Sequence, residues 1–331
     1  MNEDRADTRS GATRPPLGRR TVELDESYMW SAIGIRSVIR VGLLGLDSSH
    51  PAAFADYFAE CDEATIAAIW DGGAVRSAEY VETFGERHDA VVYDDPGAMA
   101  DAVDAAMVLT VDWDTHCRLA VPFLDAGVPT FVDKPLAGRL NDVDALAAAA
   151  ADTPLTGGSA IPFHPAIASF PPDRAGRTLY CVGYDHPFYY GAHLIDTARR
   201  LASSDWRAVS PELGPGTVGI AFENGTRAAI QLDGSEDDTT FGFLDVSDRT
   251  RTCTIDGDAG YDAMYGRFLD RFLDTARDGH GDGDRLLDGA SLLLAVSAAL
   301  DTGDRITPDD DTLRRVHVDG AAFLDGYEPY Y

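Results

Sequence analysis

From Val38 onward, short runs of consecutive apolar residues alternate with alanine-rich stretches in which apolar positions recur at helical spacing. A strand buried on both faces has no polar side to show. Such runs therefore read as strands of a parallel sheet, and the stretches between them as its crossover helices. The pattern predicts strands over Val38 to Leu44, Thr65 to Trp70, Ala90 to Tyr93, Ala106 to Val111 and Thr130 to Val132. It predicts helices over Pro51 to Glu60, Ala74 to Phe84, Pro96 to Val103, Thr115 to Ala126 and Leu140 to Ala150. The expected class is α/β, a doubly wound Rossmann-type parallel sheet forming a dinucleotide-binding domain over residues 37–158.

Beyond residue 158 the rhythm changes. A helix around Gly191 to Ala202 precedes segments that alternate polar and apolar residues, the pattern of a sheet with one wet face. Asn224-Gly225 supplies the positive φ values of a tight hairpin between Gly216 to Phe222 and Thr226 to Leu232. Thr239 to Val246 and Thr250 to Ile255 extend this mostly antiparallel open sheet, and helices over Tyr261 to Arg277 and Arg285 to Leu300 follow. Residues 159–331 are thus expected to form an α+β second domain. Residues 1–36, with Arg5, Arg9, Arg14, Arg19 and Arg20 among Ser, Thr, Gly and Pro, read as a disordered extension, with Met29 as an alternative start. Glu23, Asp25 and Glu26 stand where an export signal after Arg19-Arg20 would need its apolar segment.

A chain of 331 residues, 45% of them hydrophobic, is long enough for two domains. Its formal net charge of -29 repels phosphate backbones and anionic lipid, which argues against nucleic-acid and membrane partners. Only one of the 27 cationic residues is a lysine, Lys134; the others are arginine. An acidic surface stripped of lysine is the composition expected of a salt-rich cytosol, so a cytoplasmic, halophilic setting is expected. Cys61, Cys117, Cys181 and Cys253 are too scattered for a zinc site, no metal site is expected, and a reducing compartment fits them. No apolar stretch approaches the roughly 20 residues of a membrane span.

Three segments carry candidate chemistry. The first strand runs into Gly42-Leu-Leu-Gly45-Leu-Asp47-Ser48-Ser49-His50-Pro51, where a dinucleotide fold puts its glycine-rich turn and a helix N-terminus. Gly45 matches the first glycine of G-x-G-x-x-G, while Asp47 and His50 occupy the second and third positions. Gly45, Ser48, Ser49, His50 and the following N-H groups read as a pyrophosphate cradle; equally, Asp47 or a serine reads as a helix cap. Asp71, at the end of the second strand, has the spacing of a ribose-binding carboxylate and favours NAD, with Arg76 as the route to NADP. Phe131-Val132-Asp133-Lys134-Pro135-Leu136 then ends the fifth strand, at the sheet edge where such folds place ligands. A lysine retained where every other cation is arginine implies a task for a compact ammonium whose pKa a desolvated site can lower.

Asp133-Lys134-Pro135 resembles the E-K-P motif of the glucose-fructose oxidoreductase, inositol dehydrogenase and MocA family, with Asp for Glu. Val108 to Thr110 with Asp112-Trp113-Asp114-Thr115-His116 resembles the family's A-T-P-x-x-x-H segment, whose loop lines nicotinamide and ribose. Ser159 to His164 occupies the sixth-strand site, without the Arg or Asn often found there. Tyr189-Tyr190-Gly191-Ala192-His193-Leu194-Ile195-Asp196 resembles D-x-G-x-H-x-x-D, with Tyr189 in place of the first aspartate. The resemblance implies an NAD(P)-dependent oxidoreductase acting on a sugar, polyol or related hydroxy compound. It implies catalysis by Lys134, with His193 as general base and Tyr189 as hydrogen-bond donor, and with Asp196 orienting His193 or simply continuing the helix; Asp185 and His186 are further candidates for the missing carboxylate. Gly45, Asp47, Ser48, Ser49, His50, Asp71, Thr110, His116, Asp133, Lys134 and Pro135 are the implied cofactor-binding residues, and the second sheet is the implied homo-oligomer contact. Two other classes remain open: a redox-neutral lyase or hydrolase that uses bound NAD, and a non-catalytic dinucleotide- or metabolite-sensing regulator.

Overall fold

The apolar runs of the first half become six parallel strands: β1 Ile39–Leu44, β2 Ala64–Trp70, β3 Val91–Val92, β4 Ala105–Val108, β5 Thr130–Asp133 and β6 Leu155–Gly158, in the order β3-β2-β1-β4-β5-β6. The computed structural model describes residues 37–171, 174–211, 214–234, 240–256 and 259–329, so the extension over residues 1–36 lies outside the described residues. Every residue of β4, β5 and β6 is buried, as continuous apolar runs require. Between β1 and β4 the strand order reverses, and at such a switch point the loops splay apart and leave a crevice at the strands' carboxyl ends.

Two expectations for this sheet need correction. Pro96 to Val103 is not a full crossover helix: Pro96–Met99 makes a single 3-10 turn, capped by Asp95, whose Oδ1 accepts from Gly97 N-H at 3.0 Å. The sixth strand lies at Leu155–Gly158, and Ser159 to His164 follows it, turning through a short 3-10 helix at Ile161–Phe163. Leu-Thr-Gly-Gly carries little strand signal, yet the glycine is needed there: Gly157 has φ +128°, and a Cβ on it would sit 2.1 Å from the Val132 carbonyl oxygen of β5.

The second sheet has the order β12-β11-β7-β10-β9-β8, formed by β7 Thr178–Tyr184, β8 Trp206–Ser210, β9 Thr217–Phe222, β10 Arg227–Gly234, β11 Phe241–Val246 and β12 Thr250–Ile255. Its central pair, β7 with β10, is parallel and the other pairs are antiparallel. The Asn224-Gly225 hairpin forms between β9 and β10, with Gly225 at φ +83°. The helix Gly191–Ala202 covers β7 and β10, burying Leu194, Ile195, Ala198, Leu201 and Ala202, and ends where Ser203 adopts a left-handed conformation. The long helix Gly283–Thr302 packs on β8 and β9 of this sheet and on β6 of the first, so both sheets share one core. On the opposite face Tyr180, Val182 and Val246 are exposed.

After Thr302 the chain returns to the first sheet. Val318 N-H donates to the Gly138 carbonyl at 3.0 Å, and Trp113 Nε1 donates to the Val318 carbonyl at 2.7 Å. Asp114 Oδ2 accepts from Gly320 N-H at 3.1 Å and meets His317 Nε2 at 3.0 Å. The short helix Gly320–Leu324 that follows rests Phe323 against Trp113, with ring centroids 5.2 Å apart. Among the described residues no helix is long and apolar enough to cross a membrane.

Candidate active site

Gly45 leaves β1 at φ +96°, and a Cβ there would lie 2.6 Å from Thr110 Cγ2 and 2.9 Å from the Thr110 nitrogen, so only glycine passes this close to the loop after β4. Its N-H donates to the Trp70 carbonyl at 2.8 Å. The next amide, Leu46 N-H, donates to Asp71 Oδ1 at 2.8 Å, and Asp71 Oδ2 accepts from Gly73 N-H at 2.9 Å. Asp71 thereby ties the glycine loop to the end of β2. Asp47 does not cap the following helix: its buried carboxylate turns inward, where Oδ2 accepts from Val111 N-H at 3.0 Å. Burial pushes its pKa up to about 6, against the Val111 hydrogen bond that favours the anion. Ser49 precedes the helix His50–Ala59 without a side-chain cap, and Ser48 Oγ accepts from His50 N-H at 3.3 Å.

His50, in the first turn of that helix, reaches across the sheet edge. Its Nδ1 lies 2.6 Å from Asp133 Oδ2 at the end of β5, while Asp133 Oδ1 accepts from Lys134 N-H at 2.8 Å. The Lys134-Pro135 peptide is cis. Lys134 is 6% exposed, and its Nζ stands 3.2 Å from the centroid of the Tyr189 ring and 5.6 Å from that of Tyr190. No carboxylate of the described residues lies within ion-pair distance of that ammonium. Burial therefore lowers its pKa to about 7, with Asp133 acting weakly in the other direction.

His193 projects from the helix Gly191–Ala202 into the same space, its Nδ1 2.7 Å from Ser159 Oγ. Ser159 Oγ also accepts from Ile161 N-H at 3.1 Å. Burial, helped by the charges of Lys134 and His50, holds the imidazole pKa well below its usual value. Asp196, one turn further along that helix, does not touch His193: Oδ2 accepts from Ser159 N-H at 2.9 Å and Oδ1 pairs with Arg285, which fastens the end of β6 to the helix Gly283–Thr302. Asp196 orients His193 only through Ser159.

Other expected residues serve the scaffold. His116 is fully buried, its nitrogens 2.8 Å from the Thr110 carbonyl and 3.2 Å from the Leu136 carbonyl, so it joins the loop after β4 to the segment after Pro135. Thr110 Oγ1 is bonded to Thr115 Oγ1 at 2.7 Å. Tyr189 is sandwiched between Lys134 and Phe323, with ring centroids 4.6 Å apart, and its N-H donates to His186 Nδ1 at 3.2 Å.

Lys134, His193, His50, Ser48 and Ser49 line one cleft of about 300 Å3, walled by Tyr184, Tyr189, Tyr190, Tyr261, Tyr265, Tyr327 and Phe241. Sequence reasoning missed most of this aromatic wall. Ser159, the partner of His193, was noticed only as part of a strand. The signal available for Tyr327 was the aromatic run Phe323 to Tyr331 in an otherwise polar terminus.

The Gfo/Idh/MocA family model, described as an oxidoreductase family with an NAD-binding Rossmann fold, matches residues 39–157. No curated protein sequence matches the chain. Among solved structures, UDP-N-acetylglucosamine 3-dehydrogenase from Acidithiobacillus ferrooxidans is 20% identical with a TM-score of 0.62, covering 81% of this chain and 99% of its own. An oxidoreductase from Agrobacterium radiobacter, in complex with NAD+, L-tartaric acid and magnesium, is 15% identical with a TM-score of 0.64, covering 82% of this chain and 99% of its own. The myo-inositol dehydrogenase from Lactobacillus casei, in complex with NAD(H) and myo-inositol, is 12% identical with a TM-score of 0.66, covering 82% of this chain and 97% of its own. At these identities the likeness is one of fold, and it extends over both sheets. Residues 39–157, which include the glycine turn and the Lys134 segment, thus match the model of the Gfo/Idh/MocA oxidoreductase family with its NAD-binding Rossmann fold.

Proposed function

We propose that this chain is a nicotinamide-dependent dehydrogenase that oxidises or reduces a carbinol carbon of a sugar, polyol or related hydroxy compound. The observation that carries the reading is the buried ammonium of Lys134, without a carboxylate partner among the described residues, facing a cleft shared with His193. A buried ammonium with no carboxylate at ion-pair distance among the described residues is set to attract the developing charge on a substrate oxygen.

The residues present fit a dinucleotide. The Gly45 turn brings backbone close, the helix at His50 offers a positive N-terminal end to a diphosphate, and Asp71 stands at the end of β2 for a ribose. Asp47, the one acid inside the loop, turns its carboxylate to Val111 N-H. Gly45, Ser48, Ser49, Asp71 and the backbone held by Thr110, His116 and Pro135 would hold the cofactor, and Asp71 favours NAD over NADP. When bound, NAD accepts or returns the hydride. Lys134 holds and polarises the reacting oxygen. His193 brings an uncharged imidazole to the same cleft as a hydrogen-bond partner for that oxygen. Tyr189 keeps the ammonium over an aromatic face. The tyrosine-rich wall suits a ring that presents C-H groups to one side and hydroxyls to the other.

The exposed face of the second sheet, with Tyr180, Val182 and Val246, is proposed as the contact with a second copy of the chain. Absorbance of NADH, followed with inositols, hexoses and sugar acids as substrates, tests the main reading. Turnover without NADH accumulation would favour the redox-neutral class, and no turnover of any of them would sink the dehydrogenase.

A further inference from the structure

Two imidazoles reach the cleft, and they are supported differently. His193 leans on a serine hydroxyl and sits in a buried position near two other cationic groups. Such an imidazole hydrogen-bonds well and holds an extra proton badly. His50 leans on a carboxylate, Asp133 Oδ2, at 2.6 Å from Nδ1. Burial works against ionisation of Asp133, but His50 and Lys134 outweigh it and hold the carboxyl below its ordinary range. The His50 ring is fixed in its plane by stacking on Phe54, at 5.3 Å between centroids, and by the edge of Tyr265 at 6.0 Å. Its Nε2 meets no partner among the described residues and is not sealed off, so it opens to the cleft that His50 lines. The titratable groups around it are Asp133 and Lys134 at the end of β5, His193 from the helix Gly191–Ala202, and Tyr261 and Tyr265 from the helix Tyr261–Asp278.

We propose that His50 is a catalytic acid/base residue, with Asp133 as its positioning residue. A carboxylate behind an imidazole fixes the tautomer and stabilises the imidazolium that forms, which a serine hydroxyl does far less well. This inference rests on the dehydrogenase reading and deepens it. In the oxidative direction the O-H bond of the substrate breaks and its proton goes to His50 Nε2, the carbinol carbon loses its hydride to the cofactor, and a carbonyl remains. Reduction returns both. His193 then acts as the neutral hydrogen-bond partner that aligns the oxygen with Lys134.

Two measurements test this, and they fail separately from the dehydrogenase reading. In long-range proton–nitrogen spectra of 15N-labelled protein at pH 8, assigned by the signals lost in His50→Gln, His50 is expected as the Nδ1-H tautomer with a bare Nε2, and Asp133→Asn is expected to abolish that preference. A His50 carrying its proton on Nε2 overturns the proposal. With any polyol or sugar that the wild type oxidises, His50→Gln should lower kcat by roughly 100-fold or more while NADH affinity by fluorescence stays within about threefold. Asp133→Glu should recover more of the rate than Asp133→Asn. If His50→Gln instead weakens NADH binding tenfold or more at unchanged kcat, His50 belongs to the phosphate cradle and the proposal is wrong. If the wild type turns over nothing tested, the dehydrogenase reading falls and the catalytic role of His50 falls with it, whereas an Nε2-H tautomer in an active enzyme overturns the role of His50 alone.

Discussion

Replacing Lys134 with methionine should make the protein more stable while removing its activity. The ammonium's pKa of about 7, against 10.5 in water, means that the folded state disfavours the charged form by about 5 kcal/mol. Methionine fills a similar volume and needs neither solvent nor counter-charge, so Lys134→Met should gain up to about 5 kcal/mol wherever the lysine is charged in both states. The sign follows from linkage. Because the folded pKa lies below the unfolded one, the unfolded chain binds the extra proton between about pH 7 and pH 10.5, and wild-type stability rises with pH across that window. The advantage of the variant should therefore be largest below pH 7 and fade toward pH 10. Urea unfolding of both proteins at pH 6, 8 and 10 reads this directly. On the same sample, turnover should fall by orders of magnitude with NADH affinity nearly unchanged. A methionine variant less stable than wild type at pH 6, or a stability gap that ignores pH, would refute the account of a buried ammonium that the folded state disfavours.

Asp47→Asn keeps an acceptor for Val111 N-H and removes a carboxylate whose pKa burial has raised to about 6. A raised acid destabilises only when ionised, so the variant should match wild type near pH 4 and exceed it by up to about 3 kcal/mol above pH 6, which thermal melts at pH 4.5 and 7.5 will show; equal melting at 7.5 would count against it. Gly45→Ala forces a Cβ to 2.6 Å from Thr110 Cγ2 at φ +96° and should cost roughly 2–4 kcal/mol, together with weaker NADH binding by fluorescence titration; an unchanged midpoint and affinity would mean that the turn adapts.

The first sheet was legible because burial on both faces leaves no polar position to blur an apolar run, and five of its six strands were placed to within a few residues. β6 escaped because its glycines serve close packing against β5 rather than strand propensity. β7 escaped for the opposite reason: Tyr180 and Val182 are apolar on its exposed side, so Leu179 and Cys181 have no polar neighbours to mark a period of two. Lys134 was legible from its rarity and His193 from its motif. The pair that joins His50 to Asp133 was not, because 83 positions separate the two residues and nothing local in either segment demands the other. The two departures that the sequence left unconnected meet in space. A carboxylate at position 189 would stand beside the Lys134 ammonium, pairing with it and raising its pKa; the aromatic ring found there does neither, and leaves the lysine at about 7. Across the same cleft, the loop after β1 brings in the His50 imidazole with the Asp133 carboxylate behind it, so the two charged side chains at the end of β5 face opposite settings: Lys134 against a ring, Asp133 against an imidazole.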